Sequence, residues 1–277
     1  MKKIKVILSL LLLIISNFLY AQSPWVRGKN NAFLQVGLSG IFYNQVKYNG
    51  DTKDTGADFS DITTQVYSEY GICEKLDIIA VLPYKLISYK VNATSTTESL
   101  SGLSNVTIGF KYLILDKKWK LSTGIYFSGN STNYDDSKGL RTGFQSNTIL
   151  PFITYGSSKN NWYYFGNLGY GYMSNNYTDF LKIGGEVGYK FLKNTHLIFN
   201  ADVRQPLANE SFYTTDNSNY ALTSSYLDRQ KYLGVGLKIN HEFVKDKYGA
   251  NLGAIGALDL DNAPVAPSLN LGFYAKF

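Results

Sequence analysis

The feature that most constrains this chain is an alternation of apolar and polar residues held over unusually long segments. From Asn105, residues Val106, Ile108, Phe110, Tyr112 and Ile114 fall on one side, and Asn105, Thr107, Gly109 and Lys111 on the other. From Phe180, residues Leu181, Ile183, Gly185, Val187, Tyr189 and Phe191 oppose Lys182, Gly184, Glu186, Gly188 and Lys190. From Tyr232, residues Leu233, Val235, Leu237, Ile239 and Phe243 oppose Gly234, Gly236, Lys238, Asn240 and Glu242. Successive side chains of a strand point to opposite faces, so each segment reads as a half-apolar strand. The segments run to about ten to twelve residues, whereas a globular strand has about five or six and a tilted bilayer-crossing strand about nine to eleven. Length therefore argues against a β-sandwich, and the lack of a short fixed repeat argues against a β-solenoid.

About twelve such segments can be placed, near 32–43, 61–72, 77–89, 104–115, 119–129, 143–155, 162–174, 179–192, 196–205, 229–243, 249–259 and 268–277. Five connectors are short: 73–76, 116–118, 156–161, 193–195 and 244–248. Those at 44–60, 90–103, 130–142, 206–228 and 260–267 are longer and polar, and only 175–178 breaks the alternation of lengths. An even strand number with short turns at one end and long loops at the other is the pattern of an outer-membrane barrel. Hydrocarbon cannot satisfy open backbone N–H and C=O groups, so such a sheet must close on itself. The expected fold is all-β: a transmembrane antiparallel up-and-down barrel over 32–277, in the outer membrane of a Gram-negative cell. The last segment alternates Leu269, Leu271, Phe273, Ala275 and Phe277 with Asn270, Gly272, Tyr274 and Lys276. Its amphipathic pattern, ending in Phe277, resembles the C-terminal signal read by the barrel assembly machinery.

The N-terminus supports export. Met1-Lys2-Lys3-Ile4-Lys5 is a short cationic region, Val6 to Leu19 is largely apolar, and small Ala21 precedes Gln22-Ser23-Pro24. This is the layout of a signal peptide, 1–21, cleaved after Ala21, with 22–31 as a leader to the barrel. The alternative is a retained anchor, but the apolar run is short for a spanning helix. The formal charge of +6 falls to about +3 once three signal lysines are removed, too slight an excess to suggest nucleic acid. The single Cys73 cannot form an internal disulfide. Heavy use of Tyr (23), Phe (16) and Gly (25) suits an all-β chain with aromatic girdles.

The sequence carries no recognisable catalytic constellation. The two histidines, His196 and His241, fall near the short-turn rim outside any His-x-Ser arrangement and read as interfacial residues. There is no Gly-x-Ser-x-Gly elbow and no Cys/His cluster with zinc spacing. Asp51, Asp54 and Asp58 lie in one long loop but depart from a calcium-loop spacing and read as solvating acids. No metal, cofactor or catalytic residue is expected. What remains is the inward row: Glu69, Lys111, Lys120, Lys182, Glu186, Lys190, Asp202, Arg204, Lys238 and Glu242. Charges inside a barrel must be solvated or paired. They could line a mildly cationic conduit or form a network that fills a narrow lumen. The 206–228 loop, the longest, is expected to fold inward and constrict the lumen.

Two stretches carry a family resemblance. Glu69-Tyr70-Gly71-Ile72-Cys73-Glu74-Lys75-Leu76-Asp77 leads to Leu82-Pro83-Tyr84, and Gly102-Leu103-Ser104-Asn105 enters the strand Val106-Thr107-Ile108-Gly109-Phe110-Lys111-Tyr112. These resemble the outer-membrane barrel family named for the meta-pathway of phenol degradation. Ser104-Asn105 stands where the family has Gly-Asp. The resemblance implies a transporter of hydrophobic or aromatic small molecules, and Pro83 suits a bulge or bend. The expected partners are outer-membrane lipid, the assembly machinery and a small-molecule solute. The expected function is a pore or transporter. A structural or interaction barrel with a filled lumen and ligand-binding surface loops is the alternative, and a membrane-embedded hydrolase a third.

Overall fold

The computed structural model describes residues 23–207 and 226–277. The expected signal peptide and most of the 206–228 loop, including its expected inward fold, lie outside the described residues. The strands are β1 (Ala32–Tyr48), β2 (Asp51–Cys73), β3 (Leu76–Val91), β4 (Thr97–Leu103), β5 (Thr107–Asp116), β6 (Trp119–Ser128), β7 (Tyr134–Asp135), β8 (Leu140–Arg141), β9 (Thr148–Lys159), β10 (Trp162–Met173), β11 (Phe180–Leu192), β12 (Thr195–Pro206), β13 (Lys231–Val244), β14 (Tyr248–Asp261), β15 (Ala263–Pro264) and β16 (Ser268–Lys276). β4 and β5 are two pieces of one barrel strand, and β7 and β8 form a small separate hairpin. The barrel thus has twelve strands, each antiparallel to its neighbours. β1 closes it by pairing with β2 on one side and β16 on the other, from Phe33↔Lys276 to Ile41↔Ser268. No helix among the described residues is long and apolar enough to cross a membrane.

Outward residues form the apolar belt that the alternation requires. Val36, Leu82, Ile108, Ile153, Leu168, Phe199 and Ile239 are all exposed. On β10 the belt is bounded by Trp162 and Tyr164 at one end and by Tyr170 and Tyr172 at the other. Ten residues at about 3.3 Å each, foreshortened by a tilt of about 40°, span about 25 Å, the height of a lipid-facing band between aromatic girdles.

The 44–60 and 90–103 segments are not loops, contrary to the sequence expectation. β1 and β2 continue to a two-residue turn at Asn49-Gly50, whose φ values of 50° and 84° suit the primed turn of a tight hairpin. β3 likewise runs on to Val91 and pairs with β4. The physical reason is an inversion of pattern. Above the lipid the outward positions are polar, and the inward ones carry Tyr43, Val46, Ala57, Phe59 and Ile87, which pack with Leu140 of the β7–β8 segment. A reading that looks for grease on the outside stops too early there. The strand expected at 104–115 begins only at Thr107, as β5, and β4 precedes it across a break at 104–106. β3 pairs with β5 as far as Val81 and with β4 from Tyr84. Pro83 sits at that step, its carbonyl accepting the Ser104 N–H at 3.0 Å.

Candidate functional site

The leader does not hang outside the barrel. Residues 24–31 run along the inner wall at the short-turn end. The Pro24 carbonyl accepts the buried Ser122 hydroxyl at 2.6 Å, and Trp25 sets its edge against Tyr163 and Phe165. The Arg27 N–H donates to both Asp77 oxygens at 3.0 Å, and its guanidinium pairs with Glu69. Asn30 and Asn31 then exchange backbone hydrogen bonds with Gly71 at 2.8 and 2.9 Å before β1 begins. Gly71 is required by this path, because a Cβ there would lie 1.8 Å from the Gly28 carbonyl oxygen.

The docking point is a neutral set of four charges. Lys111 lies 3.5 Å from Glu69 and 3.6 Å from Asp77, with no exposure of the lysine or of either carboxylate. Arg27 supplies the second cation, and the Tyr67 hydroxyl donates to Glu69. Buried carboxylates are tolerable only when paired and hydrogen-bonded, which this arrangement achieves. Without the leader, Glu69 and Asp77 would share one lysine.

Most of the other inward charges are also paired. Lys182 reaches Asp202 at 2.5 Å and the Tyr232 hydroxyl at 2.9 Å. Lys238 reaches Glu186 at 2.7 Å, and Lys276 pairs with Glu242. Lys120 pairs with Asp116 near the β5–β6 turn. Lys190 and Arg204 have no ion pair with a carboxylate among the described residues. Five further members escaped the sequence reading: Arg27, Asp61, Asp77, Lys276 and Lys85, the last bound to Asp61 at 2.6 and 2.7 Å. Strand parity counted back from Glu69, and forward through Leu82, Tyr84 and Leu86, would have found Asp61, Asp77 and Lys85. Arg27 carried no strand pattern to flag it.

Two cavities lie inside the wall. The inner one, ≈300 Å³, is lined by Arg27, Phe33, Tyr163, His196, Lys238 and Glu242 among others. His196 therefore faces the interior, which corrects its expected place at the membrane interface. His241 is exposed and shares a 2.8 Å hydrogen bond with Thr195. The outer cavity, ≈380 Å³, is lined by Tyr43, Asp61, Lys85, Phe144, Arg204 and Tyr232 among others. Gln65 and Ile255 line both, so the cavities adjoin at the waist of the barrel. Aromatic rings narrow the space around them: Tyr67, Tyr126, Phe152, Tyr177 and Phe180 form a buried cluster. Inward Gly109 makes room for the Tyr126 ring, which a Cβ would approach to 2.3 Å. Phe277 has its ring exposed, and its backbone exchanges hydrogen bonds with Ala32 at 2.9 and 3.0 Å, sealing first strand to last.

This architecture is that of known outer-membrane barrels. The outer membrane channel from Pseudomonas putida F1 superposes with a TM-score of 0.66 at 14% identity, covering 90% of this chain and 96% of that one. The KdgM porin gives 0.50 at 6% identity over 88% and 99%. The β domain of the Bordetella autotransporter BrkA gives 0.50 at 12% over 89% and 99%. No curated protein matches the sequence. The family described as "Putative MetA-pathway of phenol degradation" matches residues 55–247, most of the barrel, and the chain belongs to that family.

Proposed function

We propose that this protein is an outer-membrane conduit for small molecules, gated at its short-turn end by its own N-terminal segment. The observation that carries the reading is the pair of adjoining cavities inside a closed barrel, with residues 24–31 held against the inner wall beside the inner one. The belt of Val36, Ile108, Leu168 and Phe199 places the wall in lipid, and a closed sheet leaves no backbone group unsatisfied there. The interior mixes paired charges with rings, which suits a small solute with an apolar body better than a hydrated salt. The P. putida neighbour is described as a channel and KdgM as a porin, which favours passage without a catalytic step.

Gating follows from the leader's contacts. They are a few hydrogen bonds, two ring edges and one shared charge set, so displacement is a local change that leaves the barrel ladders intact. In planar bilayers the full protein is expected to show small or infrequent openings, and a variant lacking residues 23–30 larger and more frequent ones. Equal conductance of the two would remove the gate. A shortened variant that neither conducts nor swells liposomes would remove the conduit as well and leave a barrel with a filled lumen. That second reading draws its support from Leu140 and the aromatic cluster, which already occupy part of the bore.

A further inference from the structure

Among the described residues, one cation lining the outer cavity has no ion pair with a carboxylate. Among the described residues lining it the cations are Lys85, Lys182 and Arg204, and the carboxylates are Asp61 and Asp202. Each lysine has its own carboxylate, Lys85 with Asp61 and Lys182 with Asp202. Arg204 has none. Among the described residues its Nη2 donates to the Met173 sulfur at 3.1 Å, and its Nε is buried without a hydrogen-bond partner. Asp228, a further carboxylate in its surroundings, is turned to Thr178, whose N–H and hydroxyl donate to it at 2.7 and 3.0 Å.

The guanidinium is held flat instead. Its carbon lies 3.5 Å from the Phe180 ring centre and 4.8 Å from that of Phe144. Ring faces attract a cation but accept no conventional hydrogen bond, so they fix the plane of the fork and leave Nε–H unused. An arginine so oriented matches the two oxygens of a carboxylate. The wall beside it is rich in rings, Phe144, Tyr226 and Tyr232 among them. The volume of ≈380 Å³ falls within the range of small-molecule sites, about 300–1,000 Å³.

From these contacts we infer that the outer cavity binds a monoanionic aromatic acid, its carboxylate on Arg204 and its ring among the surrounding aromatics. A neutral aromatic would leave the buried donor unpaired, and a small aliphatic anion would leave the rings unused. The inference names a solute class for the proposed conduit and rests on that reading for its meaning in transport, while binding itself is measured separately.

The test uses the full protein in detergent, with binding followed by calorimetry. Benzoate is the ligand, benzyl alcohol its neutral analogue and acetate the anion without a ring. Benzoate is expected to bind about tenfold or more tightly than either, the discrimination a desolvated charge-assisted contact supplies. R204Q should bring benzoate down to the level of benzyl alcohol while leaving benzyl alcohol unchanged, and R204K should retain part of the preference. Wild-type protein binding benzyl alcohol or acetate as well as benzoate would overturn the inference. So would R204Q that keeps the preference. If R204Q fails to give the compact folded-barrel band on unheated gels, the wild-type ranking and R204K decide. Failure of binding in protein that still conducts would count against the solute class alone, whereas binding without conductance would count against the conduit.

Discussion

At the residue scale, the decisive contact is the one Lys111 makes between two acids. With no side-chain exposure and carboxylates at 3.5 and 3.6 Å, it is the fixed member of the set that Arg27 completes. Lys111→Met keeps the volume and removes the charge, leaving Glu69 and Asp77 with Arg27 alone. Breaking a buried pair in this way costs about 3–5 kcal/mol. Urea unfolding in lipid vesicles should register that loss, and a variant as stable as wild type would show that the set is solvated rather than buried. Residue-level legibility follows the same logic. Strand parity reads direction directly, so Glu69, Lys182 and Glu242 could be assigned a face from spacing. Which acid meets which base depends on the stagger between strands, and a single sequence does not display stagger.

At the scale of elements, the ends of strands carry information that their middles do not. Phe277 completes the seam through two backbone hydrogen bonds to Ala32 and presents its ring outward. Each such bond contributes about 1 kcal/mol, and a loss of about 1–2 kcal/mol is enough to change abundance several-fold. Deletion of Phe277 should therefore lower the amount of protein in the outer-membrane fraction, judged by immunoblot. Unchanged abundance would mean that neither the seam nor an assembly signal depends on it. The elements misread from sequence were the β1–β2 and β3–β4 extensions. They failed for one reason: beyond the lipid the apolar side of the strand is the inner one, as Val46 and Ile87 show. The interruption at Pro83 was legible as a bend, because a residue without an N–H cannot sit unnoticed in a ladder.

At the scale of the whole molecule, the sheet closes on itself, β1 pairing with both β2 and β16, and its outer face is greasy over the height of a bilayer. The purified protein should stay monodisperse only in detergent, and the unheated sample should migrate on SDS gels differently from the boiled one. A monomer that is folded and stable in plain buffer would contradict the assignment of the exterior. Strand number, closure and family were all legible in the sequence, because alternation, parity and the Tyr70-Gly71 to Leu82-Pro83-Tyr84 stretch each report on the same wall. What fills the bore was not. The leader has no periodicity of its own, and its place is set by distant partners: Ser122, Tyr163 and Asp77.

That placement bears on how the molecule can be handled. Because Pro24, Trp25 and Arg27 pack against the inner wall at the short-turn end, an affinity handle or fluorescent cargo fused at Ser23 would bear directly on the contacts that hold the segment in place. The crown of the β1–β2 hairpin, around Asn49 and Gly50, offers a gentler attachment point, at the opposite end of β1 from that segment.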